Sequence, residues 1–207
     1  NYQSLKATML TKMFPKAGQT VPEIRLDGFE GEWEAKILSR VTNITMGQSP
    51  KSENYTDNPN DYILVQGNAD IKNKQVVPRL WTTEVTKMAE IGDIILTVRA
   101  PVGDIGKTDY NVVIGRGVAA IKGNDFIFYT LEKMKMTGFW NRFSTGSTFD
   151  SISSNDIKEA IIQIPTLKEQ QAIGTYFSNL DNLINSYQEK ISQIETLKKK
   201  LLQDMFI

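Results

Sequence analysis

The sequence has no cysteine and no histidine. Without thiols, disulfides, zinc knuckles and cysteine nucleophiles are excluded. Without imidazole, the chain lacks the commonest general base near neutral pH and the commonest metal ligand, so Ser-His-Asp, Cys-His and zinc-finger arrangements fail on inventory. Neither charge is in surplus: 24 Lys and Arg balance 24 Asp and Glu. Nucleic-acid binders usually carry excess basic charge, so any such role here must rest on charge segregated to one face. No apolar run approaches the ~18 residues that a membrane span needs. The chain opens on Asn1 with no signal-peptide pattern after it, and it reads as cut from something longer or processed. A cytoplasmic home fits the missing cysteine.

What is present falls into segments of different texture. Leu5, Met9, Leu10, Met13 and Phe14 share one 3.6-period face, which predicts the end of a helix over 1–14, stopped by Pro15. Residues 15–32 carry Pro22, Gly18, Gly28 and Gly31 with little periodicity and read as a connector. From 33 to 165, short β-branched or apolar runs (62–66, 93–99, 111–114, 118–121) alternate with Gly, Pro, Asn and Asp, as in a compact β-rich domain. Residues 126–143 are expected to be helical with a break at Gly138. Ser153, Ser154 and Asn155 offer caps for a short helix, and 161–164 returns to strand. The window 133–148 holds Lys133, Lys135 and Arg142 among Phe139, Trp140 and Phe143 without an acid. This is either a basic-aromatic binding patch or a helix with core aromatics and solvated lysines.

Residues 166–207 give the plainest signal. Ile173, Phe177, Leu180, Ile184, Tyr187, Ile191 and Ile194 recur at alternating spacings of four and three, and the seam resumes at Leu201 and Met205. That is a coiled-coil heptad pattern, and a rod so long needs a partner helix along its apolar edge; the alternative is a long helix lying on its own domain, which could cover only part of it. The expected fold class is therefore α/β (α+β): a β-rich domain followed by a long coiled-coil helix.

The two ends also resemble each other. LKATMLTKMF at 5–14 and LKKKLLQDMF at 197–206 align without a gap, with Leu5, Lys6, Leu10, Met13 and Phe14 recurring as Leu197, Lys198, Leu202, Met205 and Phe206. The expectation is an internal repeat, with a parent that runs domain, helix, domain, helix.

That layout, with IPTLKEQQAIGTYFSNLDNLI at 164–184, resembles type I restriction-modification specificity subunits. The matching residues are Pro165, Glu169, Gln170, Ile173, Leu180, Asp181 and Ile184. The connector MFPKAGQTVPEIRLDGFEGEWE, and within the domain GQSP (47–50), QGN (66–68), RAPVGDIG (99–106), IGRG (114–117) and TGSTFDSIS (145–153), are similar to that family as well. The resemblance implies a target-recognition domain at 33–165 and a conserved-region helix at 166–207, half of a usual subunit. It implies double-stranded DNA, methyltransferase subunits and restriction subunits as partners, with pairing through the long helix to a second copy or to another half. S-adenosylmethionine, ATP and Mg are expected in those partner subunits, and no cofactor, metal or catalytic residue in this chain.

Two decoys invite an enzyme reading. PVGDIGKT (101–108) nearly matches a phosphate loop, but Pro101 takes the first glycine's place and strand rather than helix is expected to follow. A hairpin between 94–99 and 111–114 is expected instead. NPNDY (58–62) is a poor likeness of an adenine-methyltransferase motif. For DNA reading, Gln and Asn suit adenine, Arg and Lys suit guanine, and Ser and Thr suit phosphate. The candidates are Gln48, Ser49, Lys51, Ser52 and Tyr55; Gln66, Asn68, Lys72 and Lys74; Arg99, Arg116 and Arg142; and Thr145, Ser147 and Thr148. Arg99 and Arg116 lean towards a structural role, because Asp93 and Asp104 are available as partners. The competing function is a coiled-coil protein-interaction adapter.

Overall fold

The computed structural model describes residues 2–143 and 151–205. The elements run α1 (Tyr2–Lys12), β1 (Glu34–Ile37), β2 (Ile44–Met46), β3 (Tyr55–Thr56), β4 (Tyr62–Val65), β5 (Ile71–Lys72), β6 (Gln75–Val76), β7 (Trp81–Thr82) and β8 (Met88–Ala89). They continue with β9 (Ile94–Thr97), β10 (Ile105–Lys107), β11 (Val112–Ile114), β12 (Val118–Ile121), α2 (Asp125–Met136), α3 (Ser154–Lys158), β13 (Ile161–Ile164) and α4 (Leu167–Met205). The fold is α+β.

One sheet has the order β2-β12-β9-β10-β6-β5 and a second β3-β7-β4-β11-β8, while β1 pairs with β13. In the central strands of the first sheet, successive side chains enter different cores. Ile94, Leu96, Ala119 and Ile121 face the helices, whereas Ile95, Val118 and Ala120 face Val65, Val112 and Ile114 of the second sheet. A strand buried on both faces reads as a continuous apolar run, which is why 94–97 and 118–121 stood out. The helical side gathers Leu10, Met13 and Phe14 with Trp33, Phe126, Ile173 and Phe177.

Local chemistry explains the boundaries. Asn124 caps α2 by accepting from the Ile127 amide at 3.1 Å. Gly138, at φ +69°, ends that helical stretch ahead of the 3₁₀ turn Phe139–Phe143. Ser153 and Asp156 form a reciprocal capping box at α3.

Three expectations are corrected. The hairpin partner of β9 is β10, not 111–114, since Leu96 faces Ile105 while Val112–Ile114 joins the other sheet beside β4 and β8. On α1, Leu5 is 45% exposed and Lys6 only 5%, because two carboxylates receive the lysine. The apolar edge of α4 is divided. Ile173, Phe177, Leu180 and Ile184 are at most 9% exposed, packed within the chain, whereas Tyr187, Ile191, Ile194 and Leu201 are 44–66% exposed. Only the second half of the seam is open. α1 lies antiparallel on the first half, with Phe14 against Phe177, Lys6 against Asp181 and Tyr2 stacked on Tyr187. Nothing is described of the Met205 side chain.

Candidate nucleic-acid interface

Four short loops meet at one end of the two sheets, and glycines let them meet. β2 runs out into Gly47, whose amide donates to the Val118 carbonyl at 3.0 Å, and the next amide, of Gln48, donates to Ile114 at 2.8 Å. A Cβ on Gly47 would lie 2.0 Å from the Gly115 carbonyl oxygen, and one on Gly117 would lie 2.0 Å from that of Gln66. Backbone meets backbone there, so no side chain fits. The Ser49 hydroxyl accepts from the Arg116 amide at 3.1 Å. The Gly117 carbonyl accepts from Val98 at 2.9 Å, which sets Arg99 beside the same turn. GQSP, QGN, IGRG and the start of RAPVGDIG therefore form one surface, although they are distant in the chain.

A carboxylate fixes the QGN turn. The Gln66 and Gly67 amides both donate to Asp70, at 2.8 and 3.1 Å, and Asp70 also pairs with Arg79 at 3.5 Å. Gln66, Asn68, Arg79 and Pro101 line a cleft of about 700 Å³ here. The neighbouring loop with Lys51, Ser52 and Tyr55 is tied down by Glu84, which accepts from the Lys51 amide at 2.8 Å and from Asn54 at 2.7 Å. These two donors, the backbone amide first, hold the Glu84 carboxyl below its ordinary range. The Thr86 hydroxyl donates to the Gln48 carbonyl.

Arg99 and Arg116 are exposed on this surface. The partners expected for them are engaged elsewhere: Asp93 with Lys122 at 3.6 Å, Asp104 with Lys135. Among the described residues neither guanidinium has an ion-pair partner, so the structural role foreseen for these two arginines is corrected. Gln48, Ser49, Gln66, Asn68, Arg99 and Arg116 come together, with Lys51, Ser52 and Tyr55 adjoining. Arg79, Asp70, Glu84 and Thr86 are additions that residue type alone did not single out.

Other candidates lie apart. Asn73 and Lys74, both at positive φ (49° and 63°), make the turn between β5 and β6. That turn docks on the long helix. Lys74 Nζ reaches Glu132 at 2.6 Å and Asp181 at 3.1 Å, where Lys6 also binds, at 2.8 and 2.6 Å. Lys74 is thus committed to a partly buried four-charge cluster, a correction to its place among DNA contacts; Lys72 is exposed on the same hairpin. Within the cluster burial lowers the Lys6 pKa despite Glu132, whereas at the more exposed Lys74 burial also opposes charge but Glu132 and Asp181 outweigh it and raise the pKa. Tyr129 donates to Asp181 at 3.0 Å, and burial and then that carboxylate push its phenol far up.

The basic-aromatic window resolves into packing. Trp140 is buried against Gly103, Lys133 donates to the Pro15 carbonyl at 2.8 Å, and Lys135 pairs with Asp104. Arg142 stacks on Phe139 and Phe143, 3.7 and 4.7 Å from the ring centres, and lines a separate groove of about 680 Å³ with Pro15 and Glu159. Thr145, Ser147 and Thr148 lie outside the described residues. Among the described residues no group of acids could hold a metal ion, and no helix is long and apolar enough to cross a membrane.

The profile of the type I restriction modification DNA specificity domain matches residues 30–196. The chain belongs to that family. Its relatives include a putative type I restriction enzyme MjaX specificity subunit of Methanocaldococcus jannaschii, 32% identical over 95% of this chain and 48% of the relative. The MjaIX specificity subunit of the same organism is 24% identical over 85% of this chain and 44% of its own. Among solved structures, the specificity domain is similar to the HsdS subunit of Thermoanaerobacter tengcongensis, with 28% identity, TM-score 0.72, and 91% of this chain and 45% of that one covered. A chain from a study of complex assembly and conformational transition of the type I R-M system gives TM-score 0.79 at 29% identity, covering 97% of this chain and 49% of that one. The specificity domain spans about half the length of the curated relatives it matches.

Proposed function

We propose that this specificity domain reads one half of a split double-stranded DNA target and contributes no catalysis of its own. The observation that carries the reading is the convergence of four loops, brought into backbone contact at Gly47 and Gly117, on one surface that holds Gln48, Gln66, Asn68, Arg99 and Arg116. Amides of Gln and Asn match adenine edges in the major groove, and free guanidiniums match guanine or phosphate. The neutral net charge is compatible with this because acidic partners elsewhere occupy other lysines, and among the described residues these two arginines have no ion-pair partner.

In the same proposal the chain docks methyltransferase subunits, and through them restriction subunits, in the cytoplasm. S-adenosylmethionine, ATP and Mg belong to those partners. The open half of α4 pairs with a second helix, so that the strut spaces two reading heads.

The test is duplex binding measured across salt. Native protein should lose affinity steeply as salt rises, and Arg99→Ala and Arg116→Ala should each weaken binding. An arginine on phosphate lowers the log K against log salt slope by about 0.9, whereas one on a base costs about 1–3 kcal/mol and relaxes specificity at one position. No binding to duplex at any salt would replace this reading with the protein-interaction adapter.

A further inference from the structure

β13 has one edge inside the fold and one outside it. On the inner edge it pairs with β1, and the Leu38 amide donates to the Ala160 carbonyl at 2.8 Å, which fixes the parity of that ladder. In an antiparallel pair, hydrogen-bonded and non-bonded positions alternate. Ile162 and Ile164 therefore bond across to Lys36 and Glu34, while the amides and carbonyls of Ile161 and Gln163 point the other way. Among the described residues these outward groups meet no partner. They face the groove of about 680 Å³. Ile161, Ile162 and Gln163 all line it although successive side chains of a strand point to opposite faces, so it is the strand's edge that the groove exposes. Gln163 Oε1 is also buried there without a hydrogen-bond partner.

The other walls are apolar, with Phe14, Pro15, Met134 and Phe139, and they carry two cations, Lys133 and Arg142. Neither cation has a carboxylate partner among the described residues, whereas Lys135 is paired with Asp104 and Lys16, at the groove's rim, with Glu23. Burial lowers the Lys133 pKa, and no carboxylate offsets it. Against these cations the described lining holds Glu159 alone as an acid. We propose that the free edge of β13 takes an acidic, extended segment of a partner protein as a third strand beside β1 and β13. The segment's backbone pairs with Ile161 and Gln163, its apolar side chains enter the groove, and its carboxylates meet Lys133 and Arg142. An unpaired strand edge is a template for such addition, in which the main chain supplies affinity and the flanking side chains supply choice. The outward groups alternate donor and acceptor, which a peptide backbone matches and a phosphate backbone, made of acceptors, does not.

The probe is a capped heptapeptide of alternating glutamate and valine, titrated into the isotope-labelled full chain and followed by NMR. The Ile161 and Gln163 amides should move downfield and exchange with solvent about tenfold more slowly, and a lysine-valine peptide should bind about tenfold more weakly. Ile161→Pro removes an edge N–H that the ladder with β1 does not use, and proline is tolerated at such positions. Arg142→Ala removes a cation without touching the strand, and it carries the test if the proline variant does not fold. Each should weaken the glutamate peptide about tenfold. No saturation in the millimolar range, equal binding of the lysine peptide, or equal binding of a peptide N-methylated along its backbone would each overturn the inference. So would shifts confined to residues outside β13, or edge-amide shifts that grow with protein concentration alone, since the occupant would then be a second copy.

Discussion

Asp181 is the residue whose removal best tests how the head is joined to the helix. Its carboxylate accepts from Lys6 at 2.6 and 2.7 Å, from Lys74 at 3.1 Å and from the Tyr129 hydroxyl at 3.0 Å. Lys6 is 5% exposed, so its ammonium cannot turn to water when the partner goes. In Asp181→Ala, Glu132 alone would face two ammonium groups, and one buried positive charge would stand uncompensated. Breaking a buried pair costs about 3–5 kcal/mol. The cost here is discounted because the Lys74 side chain is 34% exposed and that of Asp181 19%, which leaves about 2–4 kcal/mol. For a chain of this size each kcal/mol moves Tm by about 2–4 °C, so a fall on the order of 4–16 °C is expected. Circular dichroism at 222 nm during heating at neutral pH reads it directly. Glu23→Ala is the control, because its pairs with Lys12 and Lys16 are exposed and its loss should stay within the small range of surface substitutions. Equal Tm values for the two variants, or an Asp181→Ala chain within a degree of native, would refute the claim that this cluster fastens the helix.

Two further outcomes are expected at the loop cluster. Gly117→Ala puts a methyl 2.0 Å from the Gln66 carbonyl oxygen and should cost about 1–3 kcal/mol with loss of duplex binding; Gly67→Ala, with open space around its Cβ and extended backbone, should change stability by under about 1 kcal/mol. Glu84 gives a pH dependence: its carboxyl is held below the ordinary 4.5, so its tie to Lys51 and Asn54 is complete above that value and is lost as pH falls through the lower, folded-state value. The Lys51 amide, followed by NMR, should therefore lose its carboxylate partner only below pH 4.5, and in Glu84→Gln that titration should vanish.

Much of the architecture was legible because it follows from periodicity and punctuation. The heptad seam, the Gly138 break, the Ser153 cap and the doubly buried strands all announce themselves within a few residues. What stayed hidden depends on residues far apart. Periodicity alone puts Leu5 inside and Lys6 outside, and the reverse occurs because the compensating carboxylates arrive from positions 126 and 175 residues away. Pairing β9 with its next neighbour rather than with 111–114 turns on a strand of three residues, too short to show a pattern. The reading loops could be named by residue type, but type does not distinguish Arg116, which is open, from Lys74, which is held. Asp70 and Glu84 act through backbone amides, and no motif marks that use.

The residues by which this sequence resembles its family have a shared mechanical meaning. Glu169, 1% exposed, binds Arg25 of the connector at 2.8 Å through two oxygens. Gln170 receives Asn124, the cap of α2, at 3.0 Å and itself donates to the Pro165 carbonyl at 3.0 Å. Leu180 is packed inside, and Asp181 gathers α1, α2 and the β5–β6 turn. Each ties α4 to a different part of the chain, and Glu169 and Asp181 lie about 18 Å apart along the helix at ~1.5 Å per residue. A single tie would act as a pivot; ties at separated heights, to the connector, α2 and a hairpin of the sheet, leave no axis about which the head can turn. Such rigidity suits the proposed reading of a split site, in which an error in the angle of the helix would become a displacement at the loops. The same clamping explains why the seam divides after Ile184: up to there the helix belongs to its own domain, and beyond it the apolar edge is free for a partner.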